Sequence, residues 1–257
     1  MTASLRLAKD SSVDFTAFPP LAALLDVAHS ALLGLAALLE PFAGSAAAAL
    51  AIVLVTLAVR AVLLPLGVLQ VRAEFARRRL APKLAELQRR WKTNPEKLQT
   101  ATLKLYRDEG VSPFAGIWPA LAQVPIVSVL YGVAVSAQLN GRPNELLTET
   151  LAGAPLGSSL PALMASPTLA VLVPVALLAV MAVVAWFTRR QTLRMAAAAP
   201  AVEGPLAGMT GTLSWLSFTT VLIAAFVPLA AALYLTVSTT WTFVERTLLR
   251  RRLSVIE

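Results

Sequence analysis

Long apolar stretches alternate with short basic ones along this chain. Bilayer spans need about 20 mostly apolar residues, and five stretches fit: about 48–70, 114–138, 168–187, 210–227 and 229–247. The last two are separated only by Val227-Pro228, which predicts a tight turn between antiparallel helices. Between the first and second lies a polar, helical segment, Arg72–Glu109. Leu80, Leu84, Leu87 and Trp91 recur there at three- and four-residue steps, with Leu98, Leu103 and Leu105 less regular beyond Lys92-Thr-Asn-Pro95. Asn-Pro is a turn signal, so the segment reads as two antiparallel amphipathic helices. A single basic juxtamembrane helix drawn to anionic lipid is the plainer alternative.

Leu21–Glu40 is ambiguous. Asp26, His29, Ser30, Leu33, Ala37 and Glu40 share one side at helical spacing, and most of the leucines lie elsewhere. That predicts an amphipathic helix in the membrane interface, ended by Pro41 and Gly44. A sixth span and a signal peptide are the alternatives; Asp10, Asp14 and Asp26 interrupt the signal-peptide pattern.

Composition agrees with the pattern. With 57% hydrophobic residues, 14% charged residues and a mean hydropathy of +0.71, the chain is an integral membrane protein. Its net charge of +8 is unevenly placed. Of the 22 Lys and Arg, 11 fall between Arg72 and Arg107, three at Arg189, Arg190 and Arg194, and four from Arg246 to Arg252. The positive-inside rule puts all three regions in the cytoplasm, and the segment from Leu139 to Pro167, with Arg142 alone, outside. The resulting path has five spans, with the N-terminus outside and the C-terminus inside.

The chain has no cysteine and one histidine, His29. Thiolate nucleophiles, disulfides and Cys/His zinc sites are thereby excluded, and GxxxxGK[ST], HExxH and GxSxG are all missing. The expectation is a protein that is not an enzyme and needs no cofactor.

One residue breaks the apolar pattern. Arg60 lies inside the first span, where an uncompensated guanidinium costs roughly 2.5–3.5 kcal/mol on the lenient insertion scale. It is expected to face water or an anionic partner, although snorkelling to the interface is a plainer account. All 14 acidic residues lie outside the central parts of the spans, with Glu245 nearest. Polar neighbours for Arg60 are Thr56 one turn earlier, Gln123 on the second span, and Thr236, Ser238, Thr239, Thr240 and Thr242 on the fifth. Together they predict a hydrophilic groove. Gln123 as a helix–helix hydrogen bond, and the Ser/Thr series as interhelical packing, remain open. Pro119 and Pro125 predict a kinked second span.

Four stretches resemble the YidC insertase family, between about Ala48 and Arg252. They are Thr56-LAV-Arg60-AVLLP-Leu66, the hairpin around Leu80-APKLAELQRRWKTNPEKL, Leu105-YRDEGVSPFAGIWPALAQVPIVSVL-Tyr131, and Pro228-LAAALYLTVSTTWTFVERTLLRR. The third is the most specific, because several spaced prolines, a glutamine and a glycine within one membrane helix rarely recur by chance. The sequence departs from the family at Ile117 (usually cysteine), Ala230 (glycine), Leu235 (tryptophan) and Thr239 (asparagine).

The resemblance implies an all-α polytopic membrane protein. Five transmembrane helices would surround the groove, with a cytoplasmic hairpin and an N-terminal interfacial helix. The expected division is an external segment at 1–45, a first span at 46–71, a hairpin at 72–110, and four further spans over 111–257, with an external loop at 139–167 and a cytoplasmic loop at 188–209. It implies a bacterial plasma-membrane insertase and chaperone whose groove (Arg60, Thr56, Gln123, Thr236, Ser238, Thr239) receives client segments without nucleotide hydrolysis. Its partners would be nascent membrane proteins and the bilayer, with the Sec translocon and the ribosome also admitted. DNA and small-molecule substrates are not expected. Because the tail after Arg252 is only Leu-Ser-Val-Ile-Glu, any ribosomal RNA contact is expected from the hairpin and loops. The rival reading is a secondary transporter or channel for a small anionic solute. Proton or sodium coupling, however, ordinarily leaves carboxylates within the spans.

Overall fold

The computed structural model describes residues 19–139, 141–165, 168–197 and 210–253. Expectations for residues 1–18, 198–209 and 254–257 lie outside these described residues. The described part is mostly helical. Helix α1 (Pro19–Ala43) leads through a 3-10 turn at Gly44–Ala46 into α2 (Ala47–Val62). Gly44 takes φ +51°, which a residue with a Cβ rarely adopts. Pro41 does not end α1 as the sequence reading expected; it lies within the last turns, where its missing N–H removes only one intrahelical bond.

The buried side of α1 carries Leu25 and Leu32, with Ala28, Leu35, Ala36 and Leu39 packed beside them at helical spacing. Leu32 lines a small apolar space with Ile52, Leu130, Ala134 and Leu146, and Leu25 packs so closely on Gly132 that a methyl there would meet its Cδ2 at 3.0 Å. The helix therefore sits at the end of the bundle where the second apolar helix stops. Its outer side mixes Leu24, Val27, Leu38 and Phe42 with Asp26, Ser30 and Glu40, all exposed.

The stretch 46–71, expected to be one helix, is two. Helix α2 stops at Val62, Leu63 forms a turn, and α3 (Leu64–Arg90) begins with Pro65 in its first turn. Proline has no N–H to continue the ladder from α2, so the chain bends there. Helix α3 then runs without interruption from the membrane-type sequence into the basic segment. The turn at Trp91–Asn94 follows, and α4 (Pro95–Asp108) starts with Asn94 as its cap, Oδ1 accepting from Lys97 N–H at 2.9 Å. Trp91 has the Arg90 and Lys97 cations 5.6 and 5.1 Å from its ring.

Helix α5 (Ile117–Val135) carries Pro125 inside it. The segment after it is structured: β1 (Gln138–Leu139) pairs with β2 (Arg142–Pro143), and β3 (Thr150–Leu151) pairs with β4 (Ala154–Pro155), both antiparallel. Between the two pairs, buried Asn144 donates through Nδ2 to the carbonyls of Val133 and Ser136 at 2.7 and 2.9 Å, tying the segment to the end of α5. Short α6 (Leu160–Ala165), long α7 (Leu172–Ala197), one-turn α8 (Thr210–Leu213), α9 (Leu216–Phe226) and α10 (Leu229–Leu253) complete the order. The N–H groups of Leu229 and Ala230, otherwise unpaired at a helix start, donate to the carbonyls of Ser158 and Leu156 at 2.9 Å each.

Three helical stretches are long and apolar enough to cross a membrane: Ala22–Val62, Ile117–Val135 and Leu169–Ala197. Gly211–Phe226 is shorter, and α10 is long but rich in Ser, Thr and Arg. Other helices surround α10. Leu229 to Tyr234 are all buried, against α2 residues Ala48, Ala49, Ala51 and Ile52. Alanine on both sides lets the backbones approach closely.

Helices α3 and α10 run in the same direction. Arg246 reaches Gln70 at 3.4 Å, and one turn further along both helices Arg250 makes a two-pronged contact with Glu74, at 2.9 and 3.2 Å. The loop around 138–165 and the hairpin α3–α4 consequently lie at opposite ends of the helices.

Candidate functional site

The guanidinium of Arg60, in the last turn of α2, donates to the Ser238 hydroxyl of α10. It sits on the wall of a partly open cavity of about 250 Å³ formed by α7, α9 and α10. Each helix turns one polar stripe inward: Thr188, Gln191 and Thr192 from α7, Ser217 and Thr220 from α9, and Ser238, Thr239 and Thr242 from α10. Met181, Ala185, Val221 and Phe243 complete the wall.

The threonine hydroxyls are oriented by their own helices. Thr188, Thr192, Thr239 and Thr242 each donate to the carbonyl four residues earlier, at 2.8, 3.0, 2.7 and 2.9 Å. A hydroxyl bonded in this way keeps its lone pairs free as acceptors. The cavity therefore offers acceptors and methyl groups on most of its surface, with Arg60, Arg246 and Arg250 as its cationic donors. Among the described residues, no carboxylate lines it.

A second, much smaller space of about 20 Å³ adjoins Arg60 on the side of α3 and α5. Gly67, Gln70, Gln123, Thr242, Glu245 and Arg246 line it with Arg60. Trp241 Nε1–H donates to Glu245 Oε2 at 2.7 Å.

The six residues named from sequence thus separate into three groups. Ser238 and Thr239 reach the larger cavity beside Arg60, whereas Gln123 reaches Arg60 only through the smaller one. Thr56 and Thr236 are buried away from the large cavity, with hydroxyls donating to Ile52 and Ala232 carbonyls at 2.7 Å each. Neither lines the large cavity; each makes an internal hydrogen bond within its own helix, among closely packed helices. Sequence reasoning missed the stripes on α7 and α9. The spacing of Thr188, Gln191 and Thr192 at i, i+3 and i+4 was the available signal.

The α3–α4 hairpin forms a separate charged region. Lys83 on α3 pairs with Glu109 just beyond α4. The Lys83 hydrogen bond and charge, aided by Arg79, hold the Glu109 carboxyl below its ordinary range. Between α7 and α9, the Arg189 guanidinium stacks over Trp215, 4.3 Å from the ring centroid.

Mostly helical, with three helical stretches long and apolar enough to cross a membrane and an arginine beside a polar cavity, the chain has the make-up of an all-α membrane protein. The model of the 60Kd inner membrane protein family matches residues 38–255, and the chain belongs to that family; the relatives it matches carry the name membrane protein insertase YidC. The membrane protein insertase YidC of Clostridium perfringens is 39% identical over 114 residues, covering 44% of this chain and 48% of that protein. The proteins of the same name from Paraburkholderia phymatum and Burkholderia thailandensis are each 35% identical over 94 residues, covering 36% of this chain and 17% of theirs. The matched region is thus about half of the clostridial relative and a smaller part of the others.

Proposed function

We propose that this protein inserts client segments into the bacterial inner membrane and assists their folding, with the cavity beside Arg60 as the client groove. The observation that carries this reading is the position of Arg60: a cation on the wall of a cavity lined by hydroxyl acceptors, in a chain of the YidC-type family. A polar tail entering from the cytoplasm finds hydrogen-bonding groups partway into the bilayer, which lowers the penalty for leaving water. Acidic residues in that tail are attracted to Arg60, and the apolar part of the client passes sideways into lipid. No nucleotide is required. Hydrophobic transfer drives the client helix, and the membrane potential contributes about 2.3 kcal/mol per charge per 100 mV.

The proposed topology has five spans, N-terminus outside and C-terminus inside, with α1 in the outer interface. Helix α10, polar by itself, would then cross the bilayer inside the bundle, and short α9, with only Ala224 buried, at its lipid-facing side. The Sec translocon and the ribosome are proposed as partners approaching the cytoplasmic hairpin. A photo-crosslinker at position 60 should capture a nascent membrane protein stalled during insertion; capture of soluble proteins alone would overturn the reading. A transporter or channel for a small anionic solute is the second reading, favoured by the three arginines on the cavity wall. Flux of such a solute in proteoliposomes, without client capture, would establish it instead.

A further inference from the structure

Arg60 stands between two unlike spaces. The larger has three arginines and, among the described residues, no carboxylate. The smaller contains Glu245. At about 20 Å³ the smaller space holds roughly one water and no client side chain. Glu245, half-buried on α10, does not line the large cavity but shares the small chamber with the cation that would hold a client.

Its seat is built. Trp241 Nε1–H fixes Oε2 at 2.7 Å, and Oε1 occupies the place where a side chain on Gly67 would begin, so that a methyl there would overlap it. Glycine at 67 is what lets the carboxylate lie between α3 and α10. The other charged group facing the chamber is Arg246, also a cation, and it already reaches Gln70 at 3.4 Å. Arg60 has five N–H donors in a rigid fork, and the bond to Ser238 occupies only the side toward the large cavity.

We infer that Glu245 is the resident counter-anion of Arg60 and sets the charge selectivity of the groove, weakening its hold on acidic client segments. This rests on the insertase reading above. A client carboxylate in the large cavity meets a cation whose field is partly cancelled from behind, so acidic tails are drawn in yet released. Removing the carboxylate leaves that field uncompensated.

The test uses the full-length protein in membranes, with a photo-crosslinker at Thr192 on the groove wall. Two clients differ only in having Asp/Glu or Asn/Gln in the translocated tail, and the readout is the acidic-to-neutral capture ratio. Glu245→Gln should raise that ratio by roughly two- to fivefold, the size of a partly screened ion pair. The increase should vanish in Arg60→Gln/Glu245→Gln relative to Arg60→Gln. Trp241→Phe frees the carboxylate to lean toward Arg60 and should lower the ratio, which serves if Glu245→Gln fails to accumulate. An unchanged ratio in both variants, or a rise that persists without Arg60, overturns the inference. Absence of client capture by the wild type overturns the insertase reading itself.

Discussion

Arg60 of α2 and Ser238 of α10 share a hydrogen bond across 178 positions of sequence, and that bond marks where the polar cavity meets the helix core. On one side of it lie Thr239, Thr242 and the stripe from α7. On the other lie the packed alanines of α2 and α10. The serine hydroxyl accepts only one or two of the guanidinium's five donors, which leaves capacity for water or an acidic visitor. From this relationship follows the expectation that charge at position 60 matters more than fork geometry.

Arg60→Lys is therefore expected to keep most insertion of clients with acidic translocated tails, and Arg60→Ala to reduce it by about tenfold, the loss of one charge-assisted hydrogen bond. Insertion assays at matched expression check this. Equal insertion by wild type and Arg60→Ala across several such clients would remove the groove charge from the mechanism.

The proposed topology, with the hairpin inside and the loop at 138–165 outside, predicts that a cysteine at Ser158 reacts with an impermeant thiol reagent added externally and that one at Thr93 does not. The absence of native cysteine makes each label unambiguous. Position 12 should also label from outside. Its protection while 158 labels would instead make α1 a sixth span.

Helices α3 and α4 of the hairpin pack loosely against each other, leaving a surface cleft of about 300 Å³ beside Lys83, Leu87 and Lys104. Among its residues Leu80, at the bundle side, is fully buried. Replacing Ala81–Leu103 by a flexible linker should thus leave the membrane core folded while weakening insertion, and hydrogen exchange should be faster in the hairpin than in residues 114–138. Loss of the folded core on deletion would make the hairpin structural instead.

The Lys83–Glu109 pair gives the hairpin a pH dependence of known sign. The folded-state pKa of Glu109 lies below its ordinary value of 4.5, so the pair's contribution is present above that value and is lost as pH falls through the folded pKa. Following the Glu109 carboxyl by NMR, Lys83→Gln should move its titration upward toward the ordinary value. An unmoved titration would show that Lys83 does not hold the carboxylate. The pair is exposed, so its loss should change global stability little.

Much of this protein follows from sequence alone. The apolar runs, the basic segments and the Asn94-Pro95 turn are local features, and local propensity decides them; so does the anomaly of Arg60, since no lipid-facing position accommodates a guanidinium. Other features needed the tertiary structure. Pro65 divides the first span at Leu63, because a proline's effect depends on whether neighbouring helices follow the bend. The Thr and Ser residues of α10 look equivalent in sequence, yet Thr236 packs inside the bundle and Ser238 faces the cavity, since about 100° of helical rotation per residue decides what each side chain meets. Glu245 reads as a charge at a helix end. Only the absence of a side chain on Gly67, 178 positions earlier, lets α3 and α10 seat it beside Arg60, and no local pattern encodes that juxtaposition.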